Sequence, residues 1–228
     1  MIQNLPTHIS VIFIISTFIT FFFILSASPY KKQIIFVCSL WLVIQGLISY
    51  SLFYTHTNLL PPRFLFLILP PFVFILFLFA TAKGKIFIES FSIEKLTLLH
   101  CIRVPVELVL YWLFIEKKVP EIMTFEGNNL DILSGISAPI IYYFGFIRKV
   151  LSTRIILFWN FFCLALLFNI VITAILSSPL PIQQIAFEQP NLAVLYFPFS
   201  FLPGFIVPIV LFSHLAAIKK LSANKLRN

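Results

Sequence analysis

The stretch IILFWNFFCLALLFNIVITAIL, residues 155–176, contains no charged residue, no proline and no glycine. A helix rises about 1.5 Å per residue, so this stretch alone covers the roughly 30 Å of hydrocarbon in a bilayer. Working outward, six further apolar runs are read as spans, at 9–25, 34–54, 64–82, 96–115, 130–147 and 192–218. The breaks between them carry turn and charge signals: SASPYKK, THTNLLPPR, KGK, EKKVPE, RK followed by STR, and SSPLPIQQ. The last run is long enough to tilt or bend.

Composition agrees. The chain is 60% hydrophobic and 11% charged, with 29 phenylalanines. A soluble domain carries roughly 45–50% apolar and about 25% charged residues, and it still needs polar surface to face water. The expected fold is an all-α integral membrane protein, a seven-transmembrane-helix bundle forming a single domain over 1–228.

The formal charge of +8 would suggest nucleic acid in a soluble protein. Its distribution points elsewhere. With seven spans and the N-terminus outside, Lys31, Lys32, Lys83, Lys85, Lys95, Arg148, Lys149, Arg154, Lys219, Lys220, Lys225 and Arg227 all fall inside. These are twelve of the 16 basic residues. Arg63, Lys117 and Lys118 fall outside, and Arg103 lies within a span. This is the positive-inside pattern. It places the C-terminus in the cytoplasm and predicts contact with anionic lipid there, with no nucleic-acid partner. The small pair Ser26 and Ser28 resembles a cleavage site, but no Lys or Arg precedes the first run and a proline follows the pair. A retained first span is therefore expected. Short loops and the absence of an N-x-S/T sequon fit a bacterial inner membrane.

Charge inside hydrocarbon is costly and tends to mark function. Span 96–115 carries His100, Arg103, Glu107 and Tyr111 at helical spacing, which puts them on one stripe. Arg103 and Glu107 are expected to pair. Pro105 leaves the Cys101 carbonyl without its helical donor, an acceptor within reach of Arg103. Counting residues from the cytoplasmic ends puts Gln45 level with Glu107 and Asn160 level with Arg103. Asn169 lies nearer the outer mouth, where Glu126, Asn128 and Asp131 supply acceptors and negative charge. Prolines 198, 203 and 208, with Gly204, predict a hinge in the last span.

Other chemistry is sparse. His8, His56, His100 and His214 have no metal-ligand spacing, and the cysteines Cys38, Cys101 and Cys163 lie in apolar runs without a CxxC motif, so no metal site is expected. Span 192–218 has no lysine, so no retinal Schiff base is expected. No nucleophile elbow, phosphate loop or dinucleotide fingerprint occurs. The leading expectation is binding or transport of a polar solute or ion through a central site on the fourth span. The alternatives are a sensor, receptor or accessory subunit, and a membrane enzyme acting on lipid or isoprenoid, with His100 or Glu107 as acid or base.

Overall fold

The computed structural model describes residues 2–57 and 61–225, and among these the regular structure is entirely helical. Residues 58–60 of the THTNLLPPR break and Arg227 of the basic set lie outside the described residues. The helices are α1 (Thr7–Ser26), α2 (Lys31–Tyr50), α3 (Leu65–Ala80), α4 (Ala82–Glu89), α5 (Ile93–Leu99), α6 (Arg103–Ile115), α7 (Ile132–Tyr142), α8 (Thr153–Ser177) and α9 (Val207–Lys225).

Among the described residues, five helices are long and apolar enough to cross a membrane: α1, α2, the rod Ile93–Ile115, α8, and Leu202–Ala223. Counting α3 and α4 as one bent span makes six. The run read as 130–147 is a shorter apolar helix, Ile132–Ile147. The distribution of side chains is that of a protein in an apolar solvent. Phe18, Phe22, Phe36, Leu47, Leu76 and Phe158 are each more than 60% exposed, whereas His100, His214, Ser49 and Asn191 are fully enclosed. An exposed apolar belt of this extent suits burial in a membrane or against another protein.

The rod is the axis of the bundle. It is built from α5, a 3-10 turn at His100–Ile102, and α6. The tighter turn precedes Pro105, whose ring cannot donate back to Cys101, so the helix adjusts there and continues. Packed on the rod are α1, α7 and α9. Burial grades outward: 67% of the Leu202–Ala223 window and 50% of the rod are buried, against 17% of α2. Helix α1 turns Ser16, Thr17 and Thr20 inward. Their hydroxyls donate to Ile12 O, Phe13 O and Ser16 O at 2.8, 3.0 and 2.8 Å, so this face needs no partner for its polar atoms.

Two glycines set close approaches. The KGK segment is not a loop. Thr81 is extended at φ −93° and ψ 150°, ends α3, and accepts from Gly84 N at 3.1 Å to cap α4, which leaves at 94°. A Cβ on Gly84 would lie 2.2 Å from Leu78 O, so this bend requires glycine. In α7, a Cβ on Gly135 would lie 2.9 Å from Val104 N. The missing side chain lets α7 close on α6, with Asp131 one turn earlier.

The last run differs from its sequence reading. Helix begins only at Leu202, as a π-helical stretch Leu202–Ile206 that leads into α9. Residues 192–201 form a 3-10 turn and irregular chain, with a cis peptide bond between Phe197 and Pro198. Proline removes backbone donors, which shortens the helix from its N-terminal side. At the other end α9 runs past 218 and includes Lys219 and Lys220.

Both ends of the bundle are tied. At the basic end, Lys95 Nζ donates to Ser26 O at 2.8 Å and Lys220 Nζ to Glu89 O at 2.7 Å. At the opposite end, Gln189 Nε2 donates to Val119 O at 2.6 Å, and Leu192 N donates to Lys118 O at 3.0 Å.

Candidate functional site

Arg103 is 3% exposed at the centre of the rod. Its Nη1 meets Asp131 Oδ1 at 2.6 Å and donates to Cys163 O at 3.3 Å. Its Nη2 lies 2.9 Å from His214 Nε2. Guanidinium has only donors, so His214 Nε2 accepts and the ring proton sits on Nδ1. That proton is donated to Asn160 Oδ1 at 3.0 Å, and Asn160 Nδ2 donates in turn to Ile156 O at 2.9 Å. Every direction in this chain is therefore fixed, from α6 through α9 to α8.

The expected pairing of Arg103 with Glu107 is not formed. Helix α7 and the turn before it enter between the two charges. Asp131 takes the guanidinium, while Asn129 Nδ2 donates to Glu107 Oε2 at 2.6 Å and to Met123 O at 3.0 Å. Asn129 Oδ1 accepts from Asp131 N at 3.0 Å, which joins the two halves. Spacing along one helix shows that Arg103 and Glu107 share a face. It does not show which third element packs onto that face. Arg103 likewise uses the carbonyl of Cys163, not the one that Pro105 frees at Cys101.

The other expected residues divide. Asn160 belongs to the network. His100 stacks on His214 at 3.8 Å and 15°, with Trp159 at 5.6 Å, and neither of its ring nitrogens has a partner among the described residues. Tyr111 packs on Phe125 at 5.0 Å. Gln45 is buried and accepts from the Tyr54 hydroxyl. Asn169 is exposed and donates to Asn128 O at 3.0 Å. Glu126 and Asn128 are exposed, but Asp131 is 5% exposed and belongs to the buried network. Of the hinge residues, Pro203 and Gly204 lie in the π-helical stretch and Pro208 opens α9. Pro198 precedes them, in the cis bond.

Two hollows adjoin this core. The larger, about 770 Å³, is an apolar groove between α2, α3 and the last helix; Trp41 Nε1 donates there to Gly204 O at 2.7 Å. The smaller, about 170 Å³, lies beside the network. Glu107, Asp131, Ser178 and Asn191 line it, among apolar walls that include Phe72, Val106, Ile170 and Leu202. Sequence reasoning did not assign Asn129, His214, Ser178 or Asn191 to the site. Asn129 sits beside Asp131 in a polar turn, and Asn191 follows Pro190 at the start of a run read as membrane span. Neither context distinguishes a buried ligand from a turn residue.

No protein-family model, curated protein or solved structure matches the chain. Function therefore rests on this geometry.

Proposed function

We propose that the chain is a seven-span bundle, N-terminus outside and C-terminus cytoplasmic, that binds or moves a small polar solute or ion at a site on the Ile93–Ile115 rod. In this reading the basic end meets anionic lipid at the cytoplasmic face of a bacterial inner membrane. The observation that carries the reading is the 170 Å³ hollow bordered by both Glu107 and Asp131 inside an apolar bundle. Burying carboxylates is costly, and a purely structural pair is often no better than packed apolar residues. Intramembrane carboxylates beside a void are placed to meet a guest.

The parts then have distinct tasks. Arg103, locked by His214 and Cys163 O, holds Asp131 in place. Glu107 offers the oxygen not taken by Asn129. Leu202 and Pro203, from the π-helical stretch, form part of the hollow's wall, and such stretches recur at functional sites because they break the regular helical ladder. A change of pitch there would open or close the hollow.

The test is flux through purified protein in sealed liposomes. A trapped pH-sensitive dye is read while gradients of sodium, potassium, ammonium or an amino acid are imposed. A solute-driven signal above that of empty liposomes, absent in Glu107→Gln protein with an unchanged circular dichroism spectrum, is the expected result. Signals equal to those of empty liposomes for every solute, or an undiminished signal in Glu107→Gln, would remove the proposal.

A further inference from the structure

The hollow beside Glu107 states what chemistry its occupant must have, because each polar atom on its wall can be accounted for. Ser178 Oγ donates its hydrogen to Ala174 O at 2.6 Å. Asn191 Nδ2 is directed to Ala174 O and Ser178 Oγ, both at 3.3 Å. The donors on this wall are therefore used. The acceptors are not. Asn191 is fully buried, yet its Oδ1 has no hydrogen-bond partner among the described residues. Glu107 engages Oε2 with Asn129, and Asp131 engages Oδ1 with Arg103, leaving the second oxygen of each carboxylate. The residual capacity of the wall is thus to accept hydrogen bonds.

Charge points the same way. Arg103, Asp131 and Glu107 in their ionised forms sum to one negative charge, and the histidine bonded to Arg103 is held as the neutral acceptor described above. With both carboxylates ionised a monovalent cation brings this buried cluster to neutrality, as a proton on Glu107 does when no guest is bound. The rest of the wall is apolar. A bare alkali ion would leave those surfaces facing empty space, whereas an alkyl group would cover them. At roughly 30 Å³ per water in the liquid, a 170 Å³ hollow has room for about six small heavy atoms.

We infer that this hollow is a binding site for a small primary ammonium ion with a short alkyl body, held by Glu107, Asp131 and the Asn191 carbonyl oxygen. The inference rests on the solute-binding reading above and names its ligand class. Three N–H donors equal in number the three free acceptors carried by residues of the wall, and the alkyl chain lies against Val106, Ile170 and Leu202. Asn191 acts here as a ligand-binding residue from a segment that precedes the helical part of the last run.

The experiment measures thermal unfolding of the full chain in detergent, titrated with n-butylammonium chloride and, separately, n-butanol, sodium butyrate, sodium chloride and potassium chloride. A saturable rise in melting temperature is expected with n-butylammonium, half-complete at a concentration at least tenfold below that of any control. It should be lost in Glu107→Gln and Asn191→Leu. If either of these fails to fold, Val171→Phe serves instead: it adds bulk at the hollow's wall, leaves the polar network untouched and should abolish the rise. Equal stabilisation by n-butanol would show an apolar void only, and equal stabilisation by the alkali salts a non-selective cation effect; either overturns the inference, as does the absence of any rise. The two readings fail separately. Ammonium binding without Glu107-dependent flux removes transport and keeps this site, while Glu107-dependent flux without ammonium binding removes the site's proposed ligand alone.

Discussion

The two ends of the central network are built from similar residues and are finished differently. At the Arg103 end, both terminal nitrogens of the guanidinium, both ring nitrogens of His214 and both polar atoms of Asn160 have partners on packed helices, and Arg103 Nε is the guanidinium nitrogen left without one among the described residues. At the Glu107 end, one carboxylate oxygen is tied to Asn129 while the residue borders a hollow shared with Asn191, whose carbonyl oxygen is unsatisfied among the described residues. A densely bonded buried network rigidifies, and a carboxylate beside a hollow leaves room for a guest. In the proposed reading, the hollow is what separates site from scaffold within one set of polar groups.

The strongest way to break this comparison is at the densely bonded Arg103 end. Arg103→Met leaves Asp131 as a buried charge without its partner and should cost about 3–5 kcal/mol of stability, read as a fall in melting temperature or loss of folded protein. The double change Arg103→Met with Asp131→Leu should recover most of that loss, because an apolar pair replaces the ion pair. His214→Leu comes next. It strands Arg103 Nη2 and Asn160 Oδ1 and should cost about 2–3 kcal/mol, the penalty for unsatisfied buried groups. Glu107→Gln should be milder. Its side-chain oxygen still accepts from Asn129, so a change within about 1 kcal/mol is expected in the same melt. Its consequence belongs in ligand response and flux. A Glu107 variant as unstable as the Arg103 variant would erase the distinction between the two ends. The smallest effect is expected at His100, whose nitrogens have no partners to lose. His100→Phe should keep the ring stack and be neutral or stabilising by about 1 kcal/mol in chemical or thermal unfolding.

The large groove offers a further contrast within the molecule. It exceeds the small hollow more than fourfold, at about 770 against 170 Å³, and is walled chiefly by Phe, Ile and Leu from α2, α3 and α9. Size alone does not select a chemical site here. The smaller space is bordered by both buried carboxylates, and orientation and specificity come from such polar groups.

The all-helical class, the long apolar helices suited to a membrane and the approximate positions of most apolar runs were legible in the sequence. They depend on transfer free energies and helical periodicity, which are properties of residues taken locally. The 94° bend at Thr81, the late start of the last helix and the choice of Arg103's partner were not. Arg103 finds Asp131, Cys163 and His214 at sequence separations of 28, 60 and 111 residues. Spacing along a helix fixes which side chains share its face. Which other helix arrives at that face, and which of two nearby carboxylates it brings within bonding distance, is decided by packing across the bundle, and here by a glycine in α7 that lets Asp131 come close enough to displace Glu107.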